Sequence, residues 1–240
     1  MPHRYFSADI HDGLAVLDGA DAKHLCVVMR AAPGEAVTVC DGKGTDYACR
    51  VRTTAPARCE LEIISCAPSA SEPDVLAILY VGYPKADKLE WIIQKAVELG
   101  AARIVPFFSR YCVAAPKKEE QKNQRYNRIA LEAAKQSGRG LVPQVCMPLT
   151  YKQMIEQAAA CDAALFCYEA GGAPLLSRLA HGVKTVAIVT GSEGGFSPEE
   201  AALAKEAGLL PVSLGPRILR CETAPLAALA VVMAQTGNLQ

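Results

Sequence analysis

No two of the ten cysteines, at positions 26, 40, 49, 59, 66, 112, 146, 161, 167 and 221, form a C-x-x-C pair, and no histidine stands at zinc-finger spacing from a cysteine pair. That removes the familiar structural zinc motifs, and a 240-residue chain is too long to need disulfide staples. The cysteines therefore read as small, mostly buried apolar residues, with no metal expected. Also missing is any apolar run near the roughly 20 residues that span a bilayer; the longest, Leu226 to Ala234, falls far short. The opening Met-Pro-His-Arg-Tyr-Phe-Ser-Ala-Asp-Ile has no apolar core of secretory length, so a soluble, cytoplasmic protein without a membrane partner is the expectation. Neither G-x-G-x-x-G nor G-x-x-x-x-G-K-[ST] occurs, which excludes the common nucleotide-phosphate cradles. Net charge is absent too: 25 Lys plus Arg balance 25 Asp plus Glu, which argues against a partner held by bulk charge alone.

What is present is a chain with 51% hydrophobic and 21% charged residues, enough for one large or two unequal domains. The stretch Cys66-Ala-Pro-Ser-Ala-Ser-Glu-Pro-Asp74 reads as a linker. Before it lie short strand-like runs, Ala36–Cys40, Tyr47–Val51 and Cys59–Ile64, with Asp41-Gly42 marking a hairpin and one short helix near Ala22–Met29. Residues 1–70 are thus expected to form a small β-barrel domain. After it the pattern alternates. Val75–Val81, Ile104–Phe107, Ala163–Tyr168 and Thr185–Thr190 read as strands. Leu89, Ile92, Ile93, Ala96 and Leu99 lie at helical spacing before a Gly100 stop, and a polar helix runs through Arg128–Gln136. Ser197-Pro-Glu-Glu200 is a capping box closed by Gly208. Residues 74–240 are therefore expected to be an α/β domain with a mainly parallel sheet.

Charge separates by segment. Residues 1–72 hold 7 basic and 10 acidic side chains, residues 73–150 hold 12 and 7, and residues 151–240 hold 6 and 8. Nine of the middle cations lie between Arg103 and Arg139: Arg103, Arg110, Lys117, Lys118, Lys122, Arg125, Arg128, Lys135 and Arg139. A solvated helix face and an anion-binding patch both account for them. His24, on a mostly apolar helix, reads as a packed surface residue.

Two glycine-bearing turns follow apolar strands. Thr185–Thr190 runs into Gly191-Ser-Glu-Gly-Gly-Phe-Ser-Pro198, and in open α/β sheets ligands sit beyond the carboxyl ends of strands. This turn carries Glu193 and no Lys or Arg, which suits a cationic or neutral ligand better than a pyrophosphate. The second, Val212-Ser-Leu-Gly-Pro-Arg-Ile-Leu-Arg-Cys-Glu-Thr-Ala-Pro225, packs Arg217, Arg220 and Glu222 around Ile218-Leu219; Thr223 is a candidate cap and Pro225 fits a first helical turn.

These blocks carry a resemblance over nearly the whole chain. The start Met-Pro-His-Arg-Tyr-Phe, the helix His24-Leu-Cys-Val-Val-Met-Arg30, Lys88-Leu-Glu-Trp-Ile-Ile-Gln-Lys-Ala-Val-Glu-Leu-Gly100 and Leu131-Glu-Ala-Ala-Lys-Gln-Ser-Gly-Arg139 resemble those of the ribosomal RNA small-subunit methyltransferase E family, a branch of the knotted SPOUT superfamily. Most specific is the closing pair, Gly191–Ser197 with Leu214–Ala224. Ser192 stands where the family usually has Pro, and Cys221 where it usually has Thr.

The resemblance implies an N-terminal PUA-like β-barrel that binds RNA and a C-terminal SPOUT domain with a deep trefoil knot holding S-adenosylmethionine. It places the cofactor against Leu165, Phe166, Thr190, Gly191, Glu193, Gly195, Leu214, Gly215, Ile218, Leu219 and Arg220. The implied reaction is methylation of N3 of a uridine near the decoding site of 16S ribosomal RNA, within the small subunit. N3 carries a proton and is a poor nucleophile, so Arg220 is a candidate to stabilise the uridine anion, with Glu193 or Glu222 as base or water-orienting group; the alternative is that both carboxylates only shape their loops. Arg4, Arg30, Arg125, Arg128 and Arg139 are the candidate phosphate contacts. A homodimer is implied, with the apolar final helix at the interface or on its own sheet. Two rival readings remain open: a non-catalytic RNA-binding assembly factor, and a SPOUT methyltransferase acting on another RNA position.

Overall fold

A computed structural model describes residues 4–112, 118–169, 171–180 and 182–239. Met1 to His3 of the opening block and Lys117 of the basic stretch lie outside the described residues. The contacts divide the chain into two units. One comprises residues up to Glu72 together with Ala134–Val142; the other comprises Pro73–Ala133 with Pro143 onward.

The first unit is built on a six-stranded sheet in the order β1-β4-β5-β6-β3-β2. Its strands are β1 (Arg4–Phe6), β2 (Ile10–His11), β3 (Leu14–Asp18), β4 (Ala36–Cys40), β5 (Thr45–Thr54) and β6 (Arg58–Pro68). All pairs are antiparallel except β1 with β4. The hairpin expected at Asp41-Gly42 is present. The Asp41 carboxylate accepts the Lys43 and Thr45 N–H groups at 2.7 and 3.0 Å, and Gly42 takes the left-handed φ of +72° that the turn requires. Tyr5 of β1 at one end of the strand path and Ala15 and Leu17 of β3, next to the other end, join Leu25, Val37, Val39, Val51 and Leu61 in one core, with Ile10 of the end strand β2 packed against it, as in a curled, barrel-like sheet.

Two local expectations differ here. Strand β6 runs on to Pro68, because Thr45–Ala48 pairs with Ser65–Pro68, so the first three residues of the expected linker are sheet. The short helix is α1 (Gly19–Lys23) followed by one π-helical turn, His24–Val28. Leu25 of that turn is buried, while Val27 and Val28 face out, and His24 Nδ1 lies 2.9 Å from the Tyr5 hydroxyl.

The second unit has an eight-stranded sheet in which every pair is parallel. Its order is β10-β8-β7-β13-β11-β14-β12, with β9 also on β8. The strands are β7 (Leu76–Gly82), β8 (Arg103–Phe108), β9 (Gln144–Val145), β10 (Leu149–Thr150), β11 (Ala163–Cys167), β12 (Ala173–Pro174), β13 (Thr185–Thr190) and β14 (Leu210–Ser213). The helices are α2 (Lys88–Glu98), α3 (Glu119–Ser137), α4 (Tyr151–Ala159), α5 (Pro198–Glu206) and α6 (Ala224–Gln235); the last turn of α3 groups with the first unit.

A parallel sheet buried on both faces needs unbroken apolar strands, and Val186–Val189 are all fully buried. Met154 and Ile155 of α4 and Ala201 and Ala204 of α5 cover Tyr80, Phe107, Phe166 and Val189. The alternate side chains Leu79, Val81, Val186 and Ile188 are equally buried, and α6 lies on β7 and β13 while packing against α2. The expected face of α2, Leu89, Ile92, Ile93 and Ala96, is buried, and Gly100 ends the helix at φ +96°. At α5 the capping box is complete: the Ser197 hydroxyl accepts the Glu200 N–H and the Glu200 carboxylate accepts the Ser197 N–H. Thr223, expected to cap α6, makes no such bond; it is itself in helical conformation, and its N–H and that of Ala224 donate to the Arg220 carbonyl at 2.9 Å.

Candidate active site

Four strand ends are level. In register, Thr190 of β13 faces Val81 of β7, Val189 faces Phe166 of β11, and Cys167 faces Val212 of β14. The connections leaving Gly82, Thr190, Cys167 and Ser213 therefore emerge at one edge, the carboxyl end where α/β sheets bind ligands.

The turn after β13 is fastened at both ends. Thr190 is buried and its hydroxyl lies 3.5 Å from the Tyr80 carbonyl. At the far end the Phe196 ring enters the core, 4.4 Å from Phe166 and stacked at 6.3 Å on Phe107. Between them the Gly195 N–H donates to the Ser192 carbonyl, and Gly195 adopts φ +65°, a conformation that residues other than glycine seldom take. Leu165 and Phe166, expected to touch a ligand, are fully buried; Phe166 packs against Phe196 and so supports the turn from beneath.

In the loop after β14, the Ser213 hydroxyl accepts the Gly215 N–H at 3.3 Å, and Gly215 takes φ +103°. Gly215, Arg217, Ile218 and Arg220 are exposed, Ile218 at 88%, while Leu214 and Leu219 are half-buried. Arg220 makes no ion pair among the described residues.

The two loops meet through a residue that the sequence reading did not select. Lys88 Nζ lies 3.1 Å from Glu193 Oε1 of the first loop and 3.3 Å from Glu222 Oε2 of the second. It also lies 3.7 Å from the Cys221 sulfur, and Cys221 donates to Glu222 Oε2 at 3.2 Å. The Lys85 N–H donates to the same Glu193 oxygen at 3.1 Å. Burial works to raise the Glu193 pKa, but hydrogen bonds from its own backbone, Lys88 and Lys85 outweigh it and hold the carboxyl below its ordinary value. Glu222 is also held low, first by the Cys221 thiol and then by its own backbone and Lys88. The Cys221 thiol is pushed up to about 12 by burial and by Glu222. At neutral pH the cluster is two carboxylates, one ammonium and a neutral thiol. The signal in the sequence was a cation at the first residue of a helix, where the macrodipole disfavours it.

The five candidate phosphate contacts separate. Arg139 is a correction: it is 3% exposed, and its guanidinium is held by Glu72, whose carboxylate also accepts the Gly140 and Leu141 N–H groups. Arg4 is half-buried, with its guanidinium engaged by Asp46, Cys40 and Ser69. Arg125 is largely exposed and pairs with Glu90 at 2.8 Å. Arg30 and Arg128 are exposed and make no ion pair among the described residues.

Residues 71–233 match a family model described as an RNA methyltransferase domain, and residues 17–64 match one described as an RNA methyltransferase PUA domain. The chain is 33% identical to the ribosomal RNA small subunit methyltransferase E of Bacillus subtilis, over 93% of this chain and 91% of the relative. It is 33% identical to the protein of the same name from Synechocystis, over 94% and 74%. The crystal structure of ribosomal RNA small subunit methyltransferase E from Neisseria gonorrhoeae bound to S-adenosyl methionine superposes with a TM-score of 0.85 at 28% identity, covering 98% of both chains.

Proposed function

Because the chain belongs to the ribosomal RNA small subunit methyltransferase E family, we propose that it methylates N3 of one uridine near the decoding site of 16S ribosomal RNA, using S-adenosylmethionine. The observation that carries this reading is the convergence of two glycine-bearing loops at one sheet edge, joined through Glu193, Lys88 and Glu222. The residues fit the cofactor. The Gly191–Gly195 turn has no basic side chain, Glu193 and Glu222 are ionised, and the Ser192 hydroxyl is buried without a partner among the described residues. That chemistry suits a cation with polar groups and not a pyrophosphate. When bound, S-adenosylmethionine supplies an electrophilic methyl group on a positively charged sulfur. Thr190, Gly191, Glu193 and Gly195 on one side, with Leu214, Gly215, Ile218, Leu219 and Arg220 on the other, are the residues to hold it, above the buried Leu165 and Phe166. The order β7-β13-β11-β14, with β13 inserted between two strands that precede it in the chain, supports a trefoil-knotted thread through this domain.

N3 attacks well only when the negative charge left by its proton is stabilised over the ring carbonyls. Arg220, exposed and without an ion pair among the described residues, is suited to that charge, a role worth about 3 to 4 kcal/mol. Glu193 and Glu222 are depressed in pKa and already accept hydrogen bonds, which makes them weak bases; they hold the loops, and the N3 proton leaves to solvent.

The target base must leave its stack to be reached. Arg30 on the first unit and Arg125 and Arg128 on the second are the phosphate contacts in this reading. Arg128→Ala is expected to reduce the slope of log affinity for small-subunit RNA against log salt by about one; an unchanged slope in a filter-binding series removes Arg128 from the interface.

The enzyme acts in the cytoplasm on the small subunit, as a homodimer. Half-buried Leu226, Ala227, Ala230 and Val231 on α6 support an interface there. Purified protein, first checked by sedimentation for twice the chain mass, is to be incubated with labelled S-adenosylmethionine and small subunits lacking the modification. Label at a single uridine N3 is expected; no label in 16S ribosomal RNA, or label on a ribose, overturns the reading.

A further inference from the structure

Lys88 is the first residue of α2, the helix end where aligned peptide dipoles disfavour a cation. Two residues earlier, Ala86 has φ +55°, a left-handed conformation that residues other than glycine seldom adopt. The connection from β7 to α2 thus departs twice from local preference, and both departures serve one contact. The Lys85 N–H and the Lys88 ammonium reach the same Glu193 oxygen, each at 3.1 Å. Lys88 then continues to Glu222, 134 residues further along the chain, at 3.3 Å. Its base does not move, because the next turn of α2 is locked in the core by Leu89, Ile92 and Ile93. A single exposed ion pair has little effect. One ammonium shared by carboxylates on two separate loops, delivered from a third, rigid element, fixes the distance between those loops.

Resting on the functional reading above, we propose that Lys88 is a positioning residue that clasps the Gly191–Gly195 turn to the Leu214–Glu222 loop, through Glu193 and Glu222, at the separation S-adenosylmethionine requires. The charged and titratable groups facing it are Glu193 from the turn and Cys221 and Glu222 from the loop. On its own connection Lys85 contributes a backbone N–H, Asp87 precedes it, and Glu90 is turned to Arg125. Without the ammonium, two carboxylates face each other with no intervening cation, so the loops separate and the carboxyl groups take up protons at higher pH.

The test uses the full-length protein, with calorimetry against S-adenosylmethionine and steady-state methylation of small subunits. Lys88→Met is expected to weaken cofactor binding about 10-fold, the size of a strongly coupled contact, and to raise KM for the cofactor more than it lowers kcat. Its melting temperature stays within about 2 °C of wild type, and the acid limb of kcat/KM moves to higher pH. Lys88→Arg recovers most of the affinity, and Lys88→Met combined with Glu222→Gln binds no more weakly than Lys88→Met alone. Wild-type affinity in Lys88→Met overturns the clasp, as does a loss that Lys88→Arg shares in full or that only follows a fallen melting temperature. Should Lys88→Met not fold, Lys88→Arg and Glu222→Gln still measure the same contact; wild-type affinity in Glu222→Gln then overturns it. Failure of the wild-type protein to bind S-adenosylmethionine refutes the functional reading instead and is seen before any variant is compared.

Discussion

Gly82→Ala is expected to lower the single-turnover rate of methyl transfer by about 100-fold, the scale on which an ångström of misplacement acts. Gly82 is the last residue of β7, and a Cβ there would lie 2.4 Å from the Ser192 nitrogen and 2.8 Å from the Gly191 carbonyl carbon. Both are main-chain atoms, so no rotamer change relieves the collision. The turn cannot retreat easily either. Thr190, immediately before it, is in register with Val81, and Phe196 at its other end is set among Phe107, Phe166 and Tyr151. Relief therefore requires opening the β7–β13 pair or shifting the turn that carries Glu193. The fold is expected to lose about 1 to 3 kcal/mol as in other overpacked sites, with the sheet retained. Rate and thermal melting of the variant check this; wild-type rate with an unchanged melt shows that the close approach has no functional weight.

Arg139→Met is expected to destabilise the first unit by about 3 to 5 kcal/mol, as when one partner of a buried ion pair is removed. Arg139 is 3% exposed, and the Glu72 carboxylate that receives its guanidinium also accepts the N–H groups of Gly140 at 2.8 Å and Leu141 at 3.0 Å. Glu72 thus binds the end of α3 to the strand-rich unit, and losing the guanidinium leaves its half-buried carboxylate with only neutral donors. Combining Arg139→Met with Glu72→Leu is expected to recover only part of the loss, because the Gly140 and Leu141 N–H groups then lack their acceptor. Urea unfolding measures both. At temperatures where the single variant is folded, the salt dependence of its RNA binding is expected to equal wild type, because Arg139 is structural; a reduced slope returns it to the RNA interface.

Much of the second unit was legible because its signals are local. The spacing of Leu89, Ile92, Ile93 and Ala96 specifies which face of α2 is buried, Gly100 ends it, and the Ser197–Glu200 box starts α5 at the residue expected. The β4–β5 hairpin was written in Asp41-Gly42. Where local signals compete, tertiary pairing and backbone conformation override composition. Thr223 has the right chemistry for a cap, yet the backbone is already helical there. The linker composition of residues 66–68 yields to pairing with β5.

Charge was the least legible property. The sequence locates the basic excess between residues 73 and 150, but a count of cations does not say which are already satisfied. Arg4 and Arg139 look like Arg128 in the sequence and differ from it because each meets a carboxylate, Asp46 or Glu72, brought from 42 or 67 residues away. The same separation hid Lys88, since Glu193 and Glu222 lie 105 and 134 positions beyond it and only the parallel sheet brings their loops to one edge. By itself the sequence determined the alternation of strands and helices, the two glycine-bearing turns and the family they resemble, because each depends on neighbours along the chain. Which carboxylates share an ammonium, and which arginines already have a carboxylate partner, only the tertiary structure decided, because electrostatic partners are set by distance in space.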